Sequence, residues 1–234
     1  MRSLRAAAFL LVSATFFLVI SCKKNHEEPL VITPTVNPIP YSVRVYLVTP
    51  TDQSFNPDYY RGIKAAVLNI QSWYKAQMGN NKTFVLNPVI VDTISGLHSS
   101  SWYDADNGPE ISSTYPIHAY YNVKYEMKQL LGAGFDTTQF VYFAFVAAPF
   151  NDQTIPRGIA AEGLDNIQRI SGDKPNPWMG AAAHSLGHAL GLEETAVQDT
   201  DALLSYGYNK YPNCVLRPFE KDSLNVSPFF VQQP

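Results

Sequence analysis

In the stretch "AAAHSLGHALGLEET", residues 181–195, two histidines, His184 and His188, stand four residues apart. On a helix that spacing puts both side chains on one face, one turn apart. Two imidazoles so placed can each give one ring nitrogen to the same zinc ion at about 2.1 Å. A structural or catalytic site needs at least one further ligand. Gly191 lies just past the periodic segment, where glycine takes the left-handed conformation cheaply and reverses the chain. The residue three further on can then swing back towards the metal, and that residue is Glu194; Glu193 stands beside it. Ser185 directly follows the first histidine.

The helix carrying these residues must be held by a core. Asn176-Pro177 opens it with a cap-then-proline signal, which predicts three to four turns. Upstream, "YSVRVYLV" (41–48) reads as a strand, β-branched and aromatic. "FNPDYYRGIKAAVLNIQSWYKAQMGN" reads as a long helix with Asn56 as cap, Pro57 in the first turn and Gly79 as stop. Ile63, Val67, Ile70 and Tyr74 form its apolar stripe. "TFVLNPVIV" (83–91) is a second strand, and Pro88 within it calls for an edge position or a bulge. A second long helix is expected from about Pro116 to Leu131, stopped by Gly132, and "FVYFAFVAA" (140–148) is an unbroken apolar strand. A loop then leads to the histidine helix, and "RPFEKDSLN" can form a short closing helix. His98 and His118 are isolated histidines and read as surface or capping groups.

The chain has 234 residues, 46% hydrophobic and 16% charged, which suits one globular domain. Its N-terminus reads differently. Arg2 and Arg5 precede the fifteen-residue apolar run "AAAFLLVSATFFLVI", shorter than the about 20 residues of a membrane span and typical of an export signal. The run ends in "VISC", which resembles the lipobox of bacterial lipoproteins and would make Cys22 the lipidated first residue of the mature chain. The polar, then proline-rich "KKNHEEPLVITPTVNPIP" reads as a tether. The organisation expected is a lipoprotein signal peptide at 1–21, a lipidated cysteine and tether at 22–40, and a domain at 41–234. A membrane is therefore an expected partner through the lipid anchor, in the cell envelope. Loss of residues 1–21 removes two arginines and no acid, so the formal charge moves from −3 to −5. With no basic cluster, nucleic acid is not an expected partner. Cys214 is then the remaining cysteine, read as a buried small hydrophobe.

The histidine stretch resembles the metzincin clan of zinc peptidases, whose pattern is H-E-x-x-H-x-x-G-x-x-H (or Asp). His184, His188 and Gly191 match, and Glu194 stands at the third ligand. The resemblance implies an α+β fold: a twisted mixed sheet with two long helices, an active-site helix and a small irregular C-terminal subdomain, 41–191 and 192–234. It also implies zinc as cofactor, a peptide or protein in the cleft, and an edge strand that pairs with the substrate, for which 140–148 is the candidate. In "DALLSYGY" Leu204 falls where such enzymes carry a methionine in a turn beneath the metal. Tyr206 matches a tyrosine that some metzincins hold near the metal. Three departures stand out. Leu204 for methionine conserves volume, and two histidines with one carboxylate is an accepted zinc set. Ser185 stands where the family has the glutamate that takes a proton from the attacking water and hands it to the leaving amine. The expectation is a metallopeptidase homologue with attenuated or lost activity. The alternatives are a non-catalytic binder of peptide or protein and a structural surface lipoprotein. "AHSLG" also resembles the nucleophile elbow of lipases, but that triad needs a distant downstream histidine, and His188 alone follows Ser185.

Overall fold

The computed structural model describes residues 38–105, 118–150, 153–155, 158–172, 176–195 and 198–233. The signal, Cys22, nearly all of the tether and the Pro116 start of the second helix lie outside them. All described residues belong to one compact unit, and none of their helices is long and apolar enough to cross a membrane. The architecture is α+β around a mixed six-stranded sheet, in the order β4-β5-β3-β1-β2-β6. The strands are β1 (Ser42–Thr49), β2 (Lys82–Ser95), β3 (Phe140–Val146), β4 (Gln153–Ile155), β5 (Ile159–Glu162) and β6 (Phe230–Gln232). β5, β3, β1 and β2 run parallel. β4 and β6 are antiparallel additions at the two edges.

Helices cover both faces. Val43, Val45 and Leu47 of β1 point into a core with α1 (Pro57–Met78), α3 (Leu164–Ile170) and α4 (Asn176–Ala189). The alternate residues Tyr46 and Val48 pack with α2 (His118–Leu131). A parallel strand covered on both faces has no polar side to show, which is why β3 reads as a continuous apolar run.

Local punctuation holds where it is strongest. The Asn56 side chain accepts from the Asp58 N–H at 2.9 Å, and Gly79 ends α1 at φ 70°. Around Pro88 the β1–β2 register jumps from Val43↔Leu86 to Val45↔Val91, so the bulge expected there is present. α5 (Pro218–Asn225) is the short closing helix.

Three expectations change. β3 is a central strand between β1 and β5, so it cannot offer an edge to a substrate; the edge on that side is β4. Residues 149–175, read as a connecting loop, contain β4, β5 and α3, elements of three, four and seven residues, too short for a periodic signature. And His98 is not a free surface group: its Nδ1–H donates to the buried Glu126 carboxylate at 3.2 Å, with its ring stacked on Trp102. The C-terminal segment returns to the sheet, where β6 pairs with Lys82–Phe84 of β2. Leu203, Leu204, Cys214 and Leu224 join the main core. Burial pushes the Cys214 thiol up to about 12, as expected of an inert packing residue.

Candidate metal centre

α4 is built from small residues so that another chain segment can come close. A Cβ on Gly180 would stand 2.0 Å from the Tyr208 carbonyl oxygen. The loop Ala202–Tyr211 therefore lies directly against the helix, with Leu203 and Leu204 fully buried. This proximity lets the Leu203 carbonyl accept from His184 Nδ1 at 2.8 Å.

The other histidine is oriented by the helix end itself. Gly191, at φ 96°, closes α4 with Gly191 N–H to His188 O at 2.8 Å and Leu192 N–H to Gly187 O at 3.0 Å. This is a Schellman termination. It turns the Leu192 carbonyl back to accept from His188 Nδ1 at 2.9 Å. Alanine at 191 must adopt the left-handed backbone at a cost of about 1–2 kcal/mol. Gly191→Ala is expected to lower the urea midpoint accordingly and to weaken metal uptake, because the Leu192 carbonyl moves with it. Unchanged values of both would show that the turn does not position His188.

Both Nδ1 atoms face carbonyls, which only accept, so each carries the proton and each Nε2 presents a lone pair. These lone pairs point at each other across 3.1 Å. The Glu194 carboxylate adds a third acceptor, 3.0 Å from His188 Nε2 and 3.8 Å from His184 Nε2. Three acceptors converging on one point repel unless a cation lies between them. Tetrahedral ligands at about 2.0–2.1 Å from zinc stand about 3.3–3.4 Å from one another, and the observed edges straddle that value. Burial, followed by the neighbouring His188, pushes His184 below its usual value, which keeps its imidazole neutral and able to coordinate. The donor set thus fits zinc, and His184, His188 and Glu194 form the group of described side chains that could hold an ion. Glu193 is exposed and outside that group.

Beside this group lies a cavity of about 390 Å³ lined by Pro177, Trp178, Ala181, His184, Ser185, Tyr208 and Asn209. Ser185 is in the interior of a continuous helix, which rules out the strand-to-helix turn of a nucleophile elbow. No carboxylate is among the lining residues. The tyrosine beside the site is Tyr208, its ring centroid 5.2 Å from that of His184. Tyr206, matched by sequence position, is 57% exposed. The two stand on one 3-10 turn, Tyr206–Lys210, and the resemblance pointed to Tyr206. Leu204 lies under the helix at the expected turn, its side chain near Gly187. The two orienting carbonyls had no sequence signal, because every residue carries one.

The fold has known counterparts. The chain resembles wild-type OgpA from Akkermansia muciniphila at TM-score 0.59 and 17% identity, covering 82% of this chain and 62% of that one. A catalytically inactive OgpA in complex with an O-glycopeptide (glycodrosocin) substrate gives TM-score 0.56 and 16% identity, over 77% of this chain and 58% of that. Archaemetzincin from Methanopyrus kandleri matches at TM-score 0.42 and 11% identity, over 79% and 95%. No family model and no curated relative matches the chain. The fold is α+β and is shared with OgpA. The chain spans about three-fifths of the length of OgpA.

Proposed function

We propose that this protein is a zinc-holding, peptidase-like scaffold that binds an extended peptide beside α4 and does not cut it at a peptidase's rate. The observation that carries the reading is the convergence of three acceptor atoms from His184, His188 and Glu194 next to a cavity whose lining has no carboxylate. Bound there, zinc would polarise a carbonyl and lower the pKa of a coordinated water. The chain's own residues then do the rest. The Leu203 and Leu192 carbonyls hold the imidazoles in the coordinating tautomer. β4 offers an antiparallel edge to which an extended chain can add. Ser185 has no useful basicity near neutrality, so proton removal from an attacking water lacks its acceptor.

The likeness to OgpA supports a peptide ligand and, among peptides, one bearing an O-linked sugar. The aromatic walls Trp178 and Tyr208, with the Asn209 amide, suit a sugar's apolar face and hydroxyls. Since an inactive OgpA is found with its substrate, binding without cutting is a coherent state for such a frame. The reading also places the protein on the cell envelope through a lipidated Cys22, a placement supported by the sequence of residues 1–22.

The test is metal analysis of the full chain beside His188→Ala, followed by binding of a fluorescent O-glycopeptide and its unglycosylated counterpart. About one zinc per wild-type chain, lost in His188→Ala, is the expected result, with the glycopeptide bound more tightly. Absence of zinc after loading would overturn the metal assignment. Equal failure of both peptides to bind would overturn the ligand class.

A further inference from the structure

The third candidate ligand has a weakness that the two histidines lack. Glu194 is on irregular chain after the helix has ended, and its side chain is 61% exposed. A carboxylate on a loose strand samples many positions, and few of them meet His188. Something must hold the strand.

The neighbouring residue does so from two sides. The Thr195 N–H donates to the Leu204 carbonyl at 2.8 Å, and the Thr195 hydroxyl donates to Glu220 Oε1 at 2.5 Å. Glu220 is fully buried, and its other oxygen accepts the Arg217 N–H at 2.6 Å at the start of α5. Burial of a carboxylate needs this much compensation. The same turn of α5 reaches the second wall of the site. Arg217 pairs through Nε and a terminal nitrogen with Asp199. Asp199 Oδ1 in turn accepts the N–H groups of Asp201 and Ala202 at 3.0 and 3.1 Å. Ala202 precedes Leu203, whose carbonyl orients His184.

We infer that Glu220 is a positioning residue for the metal centre: through the Thr195 hydroxyl it fixes the strand that presents Glu194. With Arg217 beside it, one helix start clamps the ligand strand and the turn beneath His184 together. Nothing in the local sequence around 217–220 suggests a role in metal binding. The assignment arises because residues 25 positions apart share one buried hydrogen bond. It rests on the metal reading above.

The experiment is zinc affinity by competition with a chromogenic chelator, on full-length wild type, Thr195→Val, Thr195→Ser and Glu220→Gln. The single variant Glu194→Ala and the double variant Glu194→Ala/Thr195→Val complete the set. Loss of an outer-shell partner weakens metal binding about 10–100-fold, and that loss is expected for Thr195→Val and Glu220→Gln. Thr195→Ser, which keeps the hydroxyl, should bind as wild type does. Because the effect runs through Glu194, adding Thr195→Val to Glu194→Ala should cost nothing more. A purely structural role would instead lower the melting temperature of Thr195→Val while the folded protein bound zinc normally, and that result would overturn the inference. An additive double variant would overturn it too. If wild type itself takes no zinc, the metal reading falls first, an outcome recognisable without any variant.

Discussion

Replacing Ser185 with glutamate is expected to raise peptide hydrolysis by the zinc-loaded protein about 10²–10⁴-fold over wild type, the usual worth of a positioned general base. Position 185 lines the same cavity as His184, one residue along the helix that carries both histidines. A carboxylate there can accept a proton from an attacking water and return it to the departing amine, which a hydroxyl cannot do near neutral pH. The cavity lining supplies no substitute base. Ser185 is buried, so an added carboxylate loses hydration, which raises its pKa towards the range useful to a base. The measurement is turnover of a quenched fluorescent peptide library by both proteins at equal zinc occupancy. An unchanged rate in a folded, loaded Ser185→Glu protein would mean that the missing base is not what silences the site.

The second large effect concerns the third ligand. Glu194→Ala is expected to weaken zinc by more than the roughly 10–100-fold typical of losing an outer-shell partner. Glu193→Ala should leave affinity within about threefold, as for a surface substitution away from special features. The contrast follows from distances: Glu194 Oε2 is 3.0 Å from His188 Nε2, whereas Glu193 is outside the ligand group. Adjacent acidic residues in an exposed segment give nearly the same change in net charge and hydration, so the pair controls for general electrostatics. Equal losses from the two variants would assign the effect to charge near the site and remove Glu194 as a ligand.

Much of the centre could be read without coordinates because its logic is local. His184 and His188 share a helix face through a four-residue spacing. Gly191 ends the helix for a conformational reason confined to one residue, and the absent glutamate is a matter of identity at 185. The caps of α1 and the bulge at Pro88 belong to the same kind. β3 is a different case. Its seven consecutive buried residues signal a strand covered on both faces, and hence a central one. The resemblance to a substrate-binding edge strand pointed the other way, and burial decided it.

What the tertiary structure alone decided is every relation carried by atoms that all residues share, or by segments far apart in the chain. The Leu203 and Leu192 carbonyls choose the histidine tautomers. Gly180 sets how near Tyr208 comes to α4, and so which of two tyrosines stands by His184. β4 becomes the edge because β5 has already paired with β3. Periodicity and capping act over a few residues and leave their mark on composition. Strand order, loop approach and the orientation of a carbonyl are set by the joint burial of the whole core, so no short stretch of residues records them.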